Sequence, residues 1–439
     1  MVFVQHFKRS RSRKGAGSEQ RKALRLAVWE GIPATLVGNM LGGPILTAYL
    51  LFLGATSQQI GLVLAIPPLA NIVQIAAAFL MQRMENRKFW MALLGTLHRS
   101  TWVATGAIPF LMPDRLQVPV FIALFLFSFL NASVGGVVWS SMISDMVPAQ
   151  VRGRYFGIRN TIHFAFAGLS LLVAGQILES APSERYGFVI LYAIAGAAAV
   201  WNAIEIFRYP NPPFEKSAEP GGIGQFFKPL KDRAFMMATA FIALFILLLN
   251  IAVPLFSFVM LELLHISKFQ VTLVTAVQMI VMMVSYYYWG NLNARFETIT
   301  LLLWSLPLLA LSCVLWVGLE ALPVLLVLIL VHVALGIGQG GYNLLTFNFL
   351  IGDTPKADRP MYIGIFAGVT GLAGFIGPMV GGALYEQIKG GAFWLQSYGV
   401  SLFTGAALLV LALGVGPFVL TRSKKRKGTG SQSKEVISG

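Results

Sequence analysis

The sequence predicts an all-α integral membrane protein with twelve transmembrane helices. The chain of 439 residues is 56% hydrophobic and 12% charged, with a mean hydropathy of +0.72. A soluble domain of this size cannot bury so much apolar surface, because the buried fraction rises only slowly with chain length. Twelve apolar runs each reach the roughly 20 residues that a helix needs to span the hydrocarbon of a bilayer. Basic residues are concentrated in alternate connections between these runs, as in membrane proteins of defined topology.

The apolar runs are long and their connections are short and polar. A basic segment precedes the first run, which is too long for a signal-peptide core and is followed by many others, so we expect no cleavage. The predicted helices are 27–54, 58–81, 88–112, 117–144, 155–178, 187–206, 235–263, 268–292, 298–318, 323–350, 360–387 and 392–420.

Lysine and arginine residues predict the orientation in the membrane. An even number of spans places both termini on one side, and that side receives 28 of the 33 Lys and Arg residues. The loops of the other side carry four, namely Arg115, Arg185, Lys268 and Lys389. Because cytoplasmic loops hold the excess of basic residues, we expect a multi-pass protein of the cell membrane with both termini in the cytoplasm. The net charge of +15 is then a topology signal and does not indicate nucleic-acid binding.

Composition divides the chain into five segments. Residues 1–25 form a basic cytoplasmic tail, and residues 26–206 form an N-terminal six-helix half. Residues 207–234 are a cytoplasmic linker whose Pro and Gly content opposes a continuous helix. Residues 235–420 form the C-terminal six-helix half, and the Gly- and Ser-rich residues 421–439 form a disordered cytoplasmic tail.

The two halves carry matching loop motifs. In each, an Asp is followed by an Arg, with a Tyr three residues and a Gly five residues after that Arg. These residues are Asp145, Arg152, Tyr155 and Gly157, and Asp353, Arg359, Tyr362 and Gly364. A second pair of motifs contains Arg83 with Glu85, and Arg295 with Glu297. Offsets of 207, 208 and 212 residues agree with one another and indicate duplication. Six spans per half restore the same orientation, so the repeats are parallel.

With these motifs the chain resembles the major facilitator superfamily over nearly its whole length. The family's motif between helices 2 and 3 is Gly, three residues, Asp-Arg, one residue and Gly, followed by basic residues. This chain keeps Arg83, Arg87 and Lys88 of it but has Gln82 at the Asp position. The family's Gly-Pro-rich bend is present as residues 377–382, Gly-Pro-Met-Val-Gly-Gly. The resemblance implies a transporter in which helices 1, 4, 7 and 10 line a central cavity.

Polar residues in those four runs are the candidates for binding a solute. The tenth run has His332, Gly336, Gln339 and Asn343 on one helical face, and Asn131 in the fourth run corresponds to Gln339 in the repeat. Asn39 and Asn250 stand near Pro44 and Pro254 in the first and seventh runs. Such a cavity of amides with one imidazole suits a neutral or weakly charged polar solute. Alternatively, these groups only bond neighbouring helices.

Arg99 is the one basic residue deep within a predicted span. It lies 11 residues beyond Lys88, or about 16 Å along a helix, close to the middle of the bilayer. A charge at that depth needs a partner, a water-filled cavity or an anionic ligand. Glu30 is the nearest candidate partner and Glu205 the next. A structural Arg99–Glu30 pair is the interpretation we favour over an anion-binding role, and both stay open.

Coupling and gating follow from the remaining ionisable residues. His332 is the leading candidate for a proton site, ahead of His163 and His98, and H⁺ coupling, sodium coupling and uncoupled diffusion stay open. Charged residues of the inner loops are expected to form a cytoplasmic gate, although arginines there also set topology. The gate candidates are Arg83, Glu85, Asp145, Arg152, Arg295, Glu297, Asp353 and Arg359.

The sequence therefore predicts a secondary transporter that moves a small solute by alternating access, acts as a monomer and requires no cofactor. We expect no enzyme, because the chain has no phosphate-binding loop and no metal-ligand spacing, and its single cysteine is Cys313. The alternatives are efflux of hydrophobic or amphipathic compounds and a sensor that has the fold of a transporter without transporting.

Overall fold

The computed structural model describes residues 2–74, 76–77, 86–147, 152–211, 228–293, 295–352 and 359–420. The N-terminal half comprises α1 (Val2–Leu41, continued after a bend of 41° by Gly43–Phe52), α2 (Ser57–Ile72), α3 (Arg87–Ala104), α4 (Asp114–Met146), α5 (Arg152–Ser180) and α6 (Glu184–Phe207). Two short turns, Thr105–Ala107 and Ile108–Leu111, extend α3.

The C-terminal half repeats this arrangement after a short helix at Lys228–Lys231. It comprises α7 (Arg233–Ala252, extended by Val253–Leu255, Phe256–Phe258 and Val259–Leu263), α8 (Lys268–Asn293), α9 (Thr298–Val314, extended by Leu315–Glu320), α10 (Val324–Gly352), α11 (Arg359–Gln387) and α12 (Leu395–Gly399, Val400–Leu409 and Val410–Val415).

Each predicted run coincides with one of these helices, so the all-α membrane fold is confirmed. Among the described residues, nine helices are long and apolar enough to cross a bilayer, and the bent α1 makes a tenth. The other two helices do not meet these limits of length and composition. α2 is described over only 16 residues, and α3 contains three basic residues, Arg87, Lys88 and Arg99. One boundary differs from expectation, because α1 begins at Val2 and extends through the segment predicted as a basic tail.

Side chains and prolines explain where the helices begin and bend. Asn86 accepts a hydrogen bond from the backbone N–H of Phe89 and so starts α3, and Asp232 caps the first turn of α7 in the same way. Pro44 opens the second piece of α1, and Pro254 lies in the turn that interrupts α7. Since proline lacks an N–H donor and clashes with the preceding turn, both halves bend at corresponding positions of their first helix.

The halves meet closely at the end of the bundle that lies away from the termini. There α2 packs against α11, and the helix axes approach because Gly61 and Gly382 leave no room for a side chain. The Ser57 hydroxyl donates to Glu386 Oε2 at 2.8 Å or to the Gly382 carbonyl at 3.2 Å. This end of the bundle is therefore closed.

A second contact closes the same end between α6 and α8. Lys268 forms an ion pair with Glu184, and α8 packs against α5, where Gly175 lies directly against Thr272. Nearer the middle of the bundle the rings of Phe164 and Tyr286 face each other with centroids 6.4 Å apart. Asn343, farther toward the end that carries the termini, is exposed. The side chain of Asn343 is therefore not buried between the halves.

Replacing Gly61 with leucine should open the closed end. The new side chain would meet the Pro378 carbonyl and the backbone of Gly382, and overpacking costs about 1–3 kcal/mol. Hydrogen–deuterium exchange should therefore accelerate at the start of α2 and the end of α11. Gly414→Leu is the control, because that position on α12 is exposed and has open space around it. Equal exchange in both variants would contradict the close α2–α11 approach.

Candidate functional site

A cavity of about 430 Å³ lies within the N-terminal half, bounded by α1, α3, α4, α5 and α6. This volume falls in the range of small-molecule sites. Its ionisable and polar lining comes from Glu30, Thr35, His98, Arg99, Arg159 and His163, and Trp139 contributes an aromatic wall. Small residues of α3 and α4 provide the space, and the side of Gly136 that a Cβ would occupy is open.

Glu30 is the buried carboxylate of this cavity, with 4% of its surface exposed. Asn202 of α6 donates to both the backbone oxygen and Oε1 of Glu30, each at 2.9 Å. The Tyr209 hydroxyl donates to Oε2 at 3.2 Å. Arg99 Nη2 lies 3.9 Å from Oε1, which is beyond hydrogen-bonding distance. Two neutral donors therefore satisfy the carboxylate, and Arg99 balances its charge from a greater distance.

Tyr209 lies just beyond the end of α6 and is almost completely buried. Burial raises the pKa of its hydroxyl, and the negative charge of Glu30 raises it further. The hydroxyl consequently keeps its proton at any physiological pH and remains a donor to Glu30.

Arg99 points from α3 into the cavity. Its Nη1 donates to the carbonyl of Gly95 in its own helix at 3.0 Å, and 16% of the side chain is exposed. A guanidinium has five N–H donors, so this bond leaves several for the cavity. Glu30, the partner that the sequence suggested first, is the carboxylate that lies nearby. Glu205 instead pairs with Arg208.

Arg159 brings a second guanidinium to the cavity, from α5. Its Nε donates to the Ala27 carbonyl at 3.3 Å, and its Cζ lies 4.8 Å from the centroid of the Trp139 ring. Within the part of the chain that the structure describes, no carboxylate lies within the 4 Å of an ion pair with Arg159. Cation–π stacking and one backbone bond hold the side chain in place without neutralising it.

Two imidazoles lie against the backbone of neighbouring helices. His163 Nε2 donates to the Val28 carbonyl at 3.0 Å, and Gly31 leaves the space for this ring. His98 Nδ1 lies 2.8 Å from Ser128 Oγ and 3.1 Å from the Ser128 carbonyl. Because a carbonyl only accepts, these contacts assign the ring protons to Nε2 of His163 and Nδ1 of His98.

The predicted cavity amides bond mainly to their own helices. Asn39, Asn131 and Asn250 each donate from Nδ2 to the carbonyl four residues earlier, at 2.9, 2.7 and 2.9 Å. Asn39 lies one helical turn from Thr35 of the cavity, and Asn131 is adjacent to Ala132 of its lining. These two amides adjoin the cavity of the N-terminal half.

The predicted site residues of α10 lie in the other half. Gln339 Nε2 donates to Asn343 Oδ1 at 3.3 Å, and Asn343 Nδ2 donates to the Tyr286 hydroxyl at 3.3 Å, which joins α10 to α8. His332 is 3% exposed and its Nδ1 donates to the Leu328 carbonyl at 2.7 Å. The structure buries this imidazole within the C-terminal half, apart from the cavity that holds His98 and His163.

For most of the predicted gate residues the structure does not describe the side chain. Arg83, Glu85 and Asp353 lie outside the described residues, and only the helical backbone is described at Asp145, Arg152 and Arg359. Arg295 and Glu297 are exposed in the turn before α9, and Glu297 occupies the position that precedes its first turn. The gate stays a prediction.

Sequence reasoning missed Arg159 and Trp139 in the lining of the cavity, and it missed Asn202 and Tyr209 as the donors that hold Glu30. A signal for Arg159 was present, because Arg159 and His163 are four residues apart and therefore share one helical face. Arg159 was instead counted among the basic residues that set topology. Asn202 and Tyr209 carry no signal, since their role depends on the packing of α6 against α1.

The charge balance around Glu30 gives a stability prediction. Glu30→Gln keeps acceptors for Asn202 but leaves Arg99 without its nearby anion, so unfolding should become easier by up to about 3 kcal/mol. The measurement is the thermal midpoint in detergent. Adding Arg99→Gln should restore part of the loss, as expected for coupled residues. Glu179→Gln, on an exposed residue of α5, should leave the midpoint unchanged. Strictly additive losses in the double variant would refute coupling between Glu30 and Arg99.

Known structures share this fold over most of the chain. A variant of the nucleoside transporter NupG superposes with a TM-score of 0.70 at 14% identity, covering 90% of this chain and 99% of that one. A D-xylose–proton symporter gives 0.68 at 14% identity, covering 88% and 96%. A bacterial homolog of the human lysosomal transporter Spinster, in an inward-facing and occupied conformation, gives 0.67 at 14% identity, covering 92% and 97%. At such low identity, these TM-scores show a common fold and nothing further.

Sequence comparison identifies the family. An uncharacterized transporter of Schizosaccharomyces pombe is 34% identical over 93 residues, a match that spans 20% of this chain and only 15% of that relative. The model of the Major Facilitator Superfamily matches residues 34–261 and 240–438, which together include both six-helix halves. The chain therefore belongs to the Major Facilitator Superfamily.

Proposed function

We propose that this protein is a secondary transporter that moves a small polar solute across the cell membrane by alternating access. The observation that carries the proposal is the uneven contact between the halves. They are joined at the end away from the termini, while Asn343 is exposed nearer the terminus-bearing end. Two parallel repeats that rock about a central site would exchange this state for its opposite.

The distribution of basic residues supports an orientation for this state. With 28 of the 33 Lys and Arg residues on the side of the termini, the positive-inside rule places both termini in the cytoplasm. The closed end then faces outward, and the protein is in an inward-open conformation. Charges of the inner loops, Asp145 with Arg152 and Asp353 with Arg359, would pair when that side closes.

The lining of the cavity supports a polar solute. The described lining contains two guanidinium groups, one carboxylate and two imidazoles. A purely apolar compound that bound there would remove water from these groups without replacing its hydrogen bonds, which costs free energy. This favours a polar solute over efflux of hydrophobic compounds. H⁺ is the first coupling ion to test, because the ionisable groups of Glu30, His98 and His163 lie at the cavity and ionisable residues within a helix bundle commonly form proton relays.

Flux into liposomes is the direct test of transport. Purified protein is screened by thermal shift against sugars, amino acids, organic anions and cationic dyes, and the solutes that stabilise it are then tested for uptake with and without a pH gradient. We expect saturable uptake of at least one stabilising solute. A pH gradient should accelerate it if protons are coupled. Absence of both stabilisation and flux across the panel would favour a sensor over a transporter.

The contacts at the closed end should determine how much of the protein is outward-open at equilibrium. Ser57→Ala removes a partly buried hydrogen bond to the carboxylate of Glu386, and a hydrogen bond to a charged group contributes up to about 1.5–3 kcal/mol. Lys268→Gln removes a partly exposed ion pair, which contributes only about 0.2–1 kcal/mol. Outward opening should therefore become more populated in both variants, and more so with Ser57→Ala.

The measurement is access of the transported solute from the outside, with Lys389→Gln as the matched control. Lys389 is an exposed residue of the same side, so its loss should change neither access nor flux. If Lys268→Gln had the larger effect, the Ser57–Glu386 contact would not be the main closure.

A further inference from the structure

The cavity of the N-terminal half carries an excess of positive charge. Arg99 and Arg159 bring two guanidinium groups to it, and Glu30 is the one carboxylate among the described residues of its lining. With the imidazoles neutral, one positive charge has no counterpart among these described residues. We propose that the transported solute carries a carboxylate that binds between Arg99 and Arg159, which makes the substrate class a small organic monocarboxylate. This inference rests on the proposed transport function.

The carboxylate of Glu30 is poorly placed to satisfy the arginines. Asn202 and Tyr209 already donate to its two oxygens, at 2.9 and 3.2 Å. Arg99 approaches it only to 3.9 Å. An arginine and a carboxylate that serve each other normally form short, often bidentate bonds. The guanidinium of Arg99 therefore keeps donors for another acceptor.

Arg159 is the stronger indication of an anionic ligand. Its described contacts are the Ala27 carbonyl and the face of Trp139, neither of which carries a negative charge. A guanidinium within the bundle is costly unless it meets water or an anion. The fork of N–H donors matches a carboxylate, whose two oxygens can each accept. Arg159 is thus fixed in position, and no carboxylate of the described part of the chain balances its charge.

The rest of the lining fits a small organic body. Trp139, Met91 and Ile206 form apolar walls, and Gly136 leaves open space beside them. A volume of about 430 Å³ exceeds what a bare inorganic anion would fill. One excess charge selects a single carboxylate over a doubly charged phosphate monoester.

The duplication supports one such site per molecule. The offset of 207 residues between the Arg152 and Arg359 motifs places Phe366 at the position of Arg159, and Leu308 lies near the position that corresponds to Arg99. The C-terminal half therefore lacks both cations at the equivalent positions. Its predicted amides, Gln339 and Asn343, would contact the polar remainder of a solute that is anchored in the N-terminal half.

Binding to the purified protein tests the proposal with matched pairs of probes. Propionate, benzoate and phenylacetate are compared with propionamide, benzamide and phenylacetamide, with chloride as the inorganic anion, at constant ionic strength. At least one carboxylate should bind and raise the thermal midpoint, and its amide should not. Equal shifts by an amide and its carboxylate, or a shift by chloride that no carboxylate exceeds, would overturn the proposal.

Variants locate the site. Arg159→Gln should weaken carboxylate binding by about 10- to 100-fold, the value of a charge-assisted hydrogen bond, and Arg159→Lys should lose less because it keeps the charge. Gly136→Leu fills the cavity where no atom stands in the way and should abolish binding, whereas Gly414→Leu on α12 should not affect it. Carboxylate binding that survives both Arg159→Gln and Gly136→Leu unchanged would place the anion elsewhere and refute the site.

Flux measurements separate this inference from the transport proposal. Saturable uptake of a neutral solute, together with no carboxylate binding, would remove the anion site and leave transport standing. Carboxylate binding without any flux would support the anion site and count against transport.

Discussion

The exclusion of water from the hydrocarbon core is the constraint on which the whole structure depends. Each backbone N–H and C=O there must be bonded within the protein, which a helix achieves by itself. Polar side chains follow the same rule: Thr35, Asn39, Asn131 and Asn250 each donate to the carbonyl four residues earlier. Breaks occur where proline removes a donor, at Pro44 and Pro254, and they occur in both halves because the halves are repeats.

Ionised groups obey the same constraint at greater cost, and this gathers them into one place. Glu30, Arg99 and Arg159 come from three helices and meet in one cavity, braced by Asn202 and Tyr209. Two guanidinium groups lie with one carboxylate among the described residues of the lining, so these three groups carry an excess of positive charge. The C-terminal half, which has the same arrangement of helices, has Leu308 and Phe366 near the corresponding positions. The two halves are therefore similar bundles that differ in charge at these two positions.

Small residues bring the two halves into close contact. Where α2 meets α11, Gly61 and Gly382 let the backbones approach each other. The polar contacts at that end, between Ser57 and Glu386 and between Glu184 and Lys268, are individually modest and lie near the surface.

The sequence by itself determined the class of fold, the position of each helix and the duplication, because apolar length, proline position and repeated motifs are local or additive properties. It also identified Arg99 as exceptional and Glu30 as its neighbour. Only the tertiary structure decided which polar residues share a cavity. His332 and Asn39 look alike as polar residues in apolar runs, yet one is buried in the C-terminal half and the other adjoins the cavity. From the sequence, Arg159 is one of the basic residues that set topology. Its place in the cavity follows from the packing of α5 against α1 and α4. The physical reason is that a helix presents every residue on some face, and only its packing against the other helices determines what that face meets.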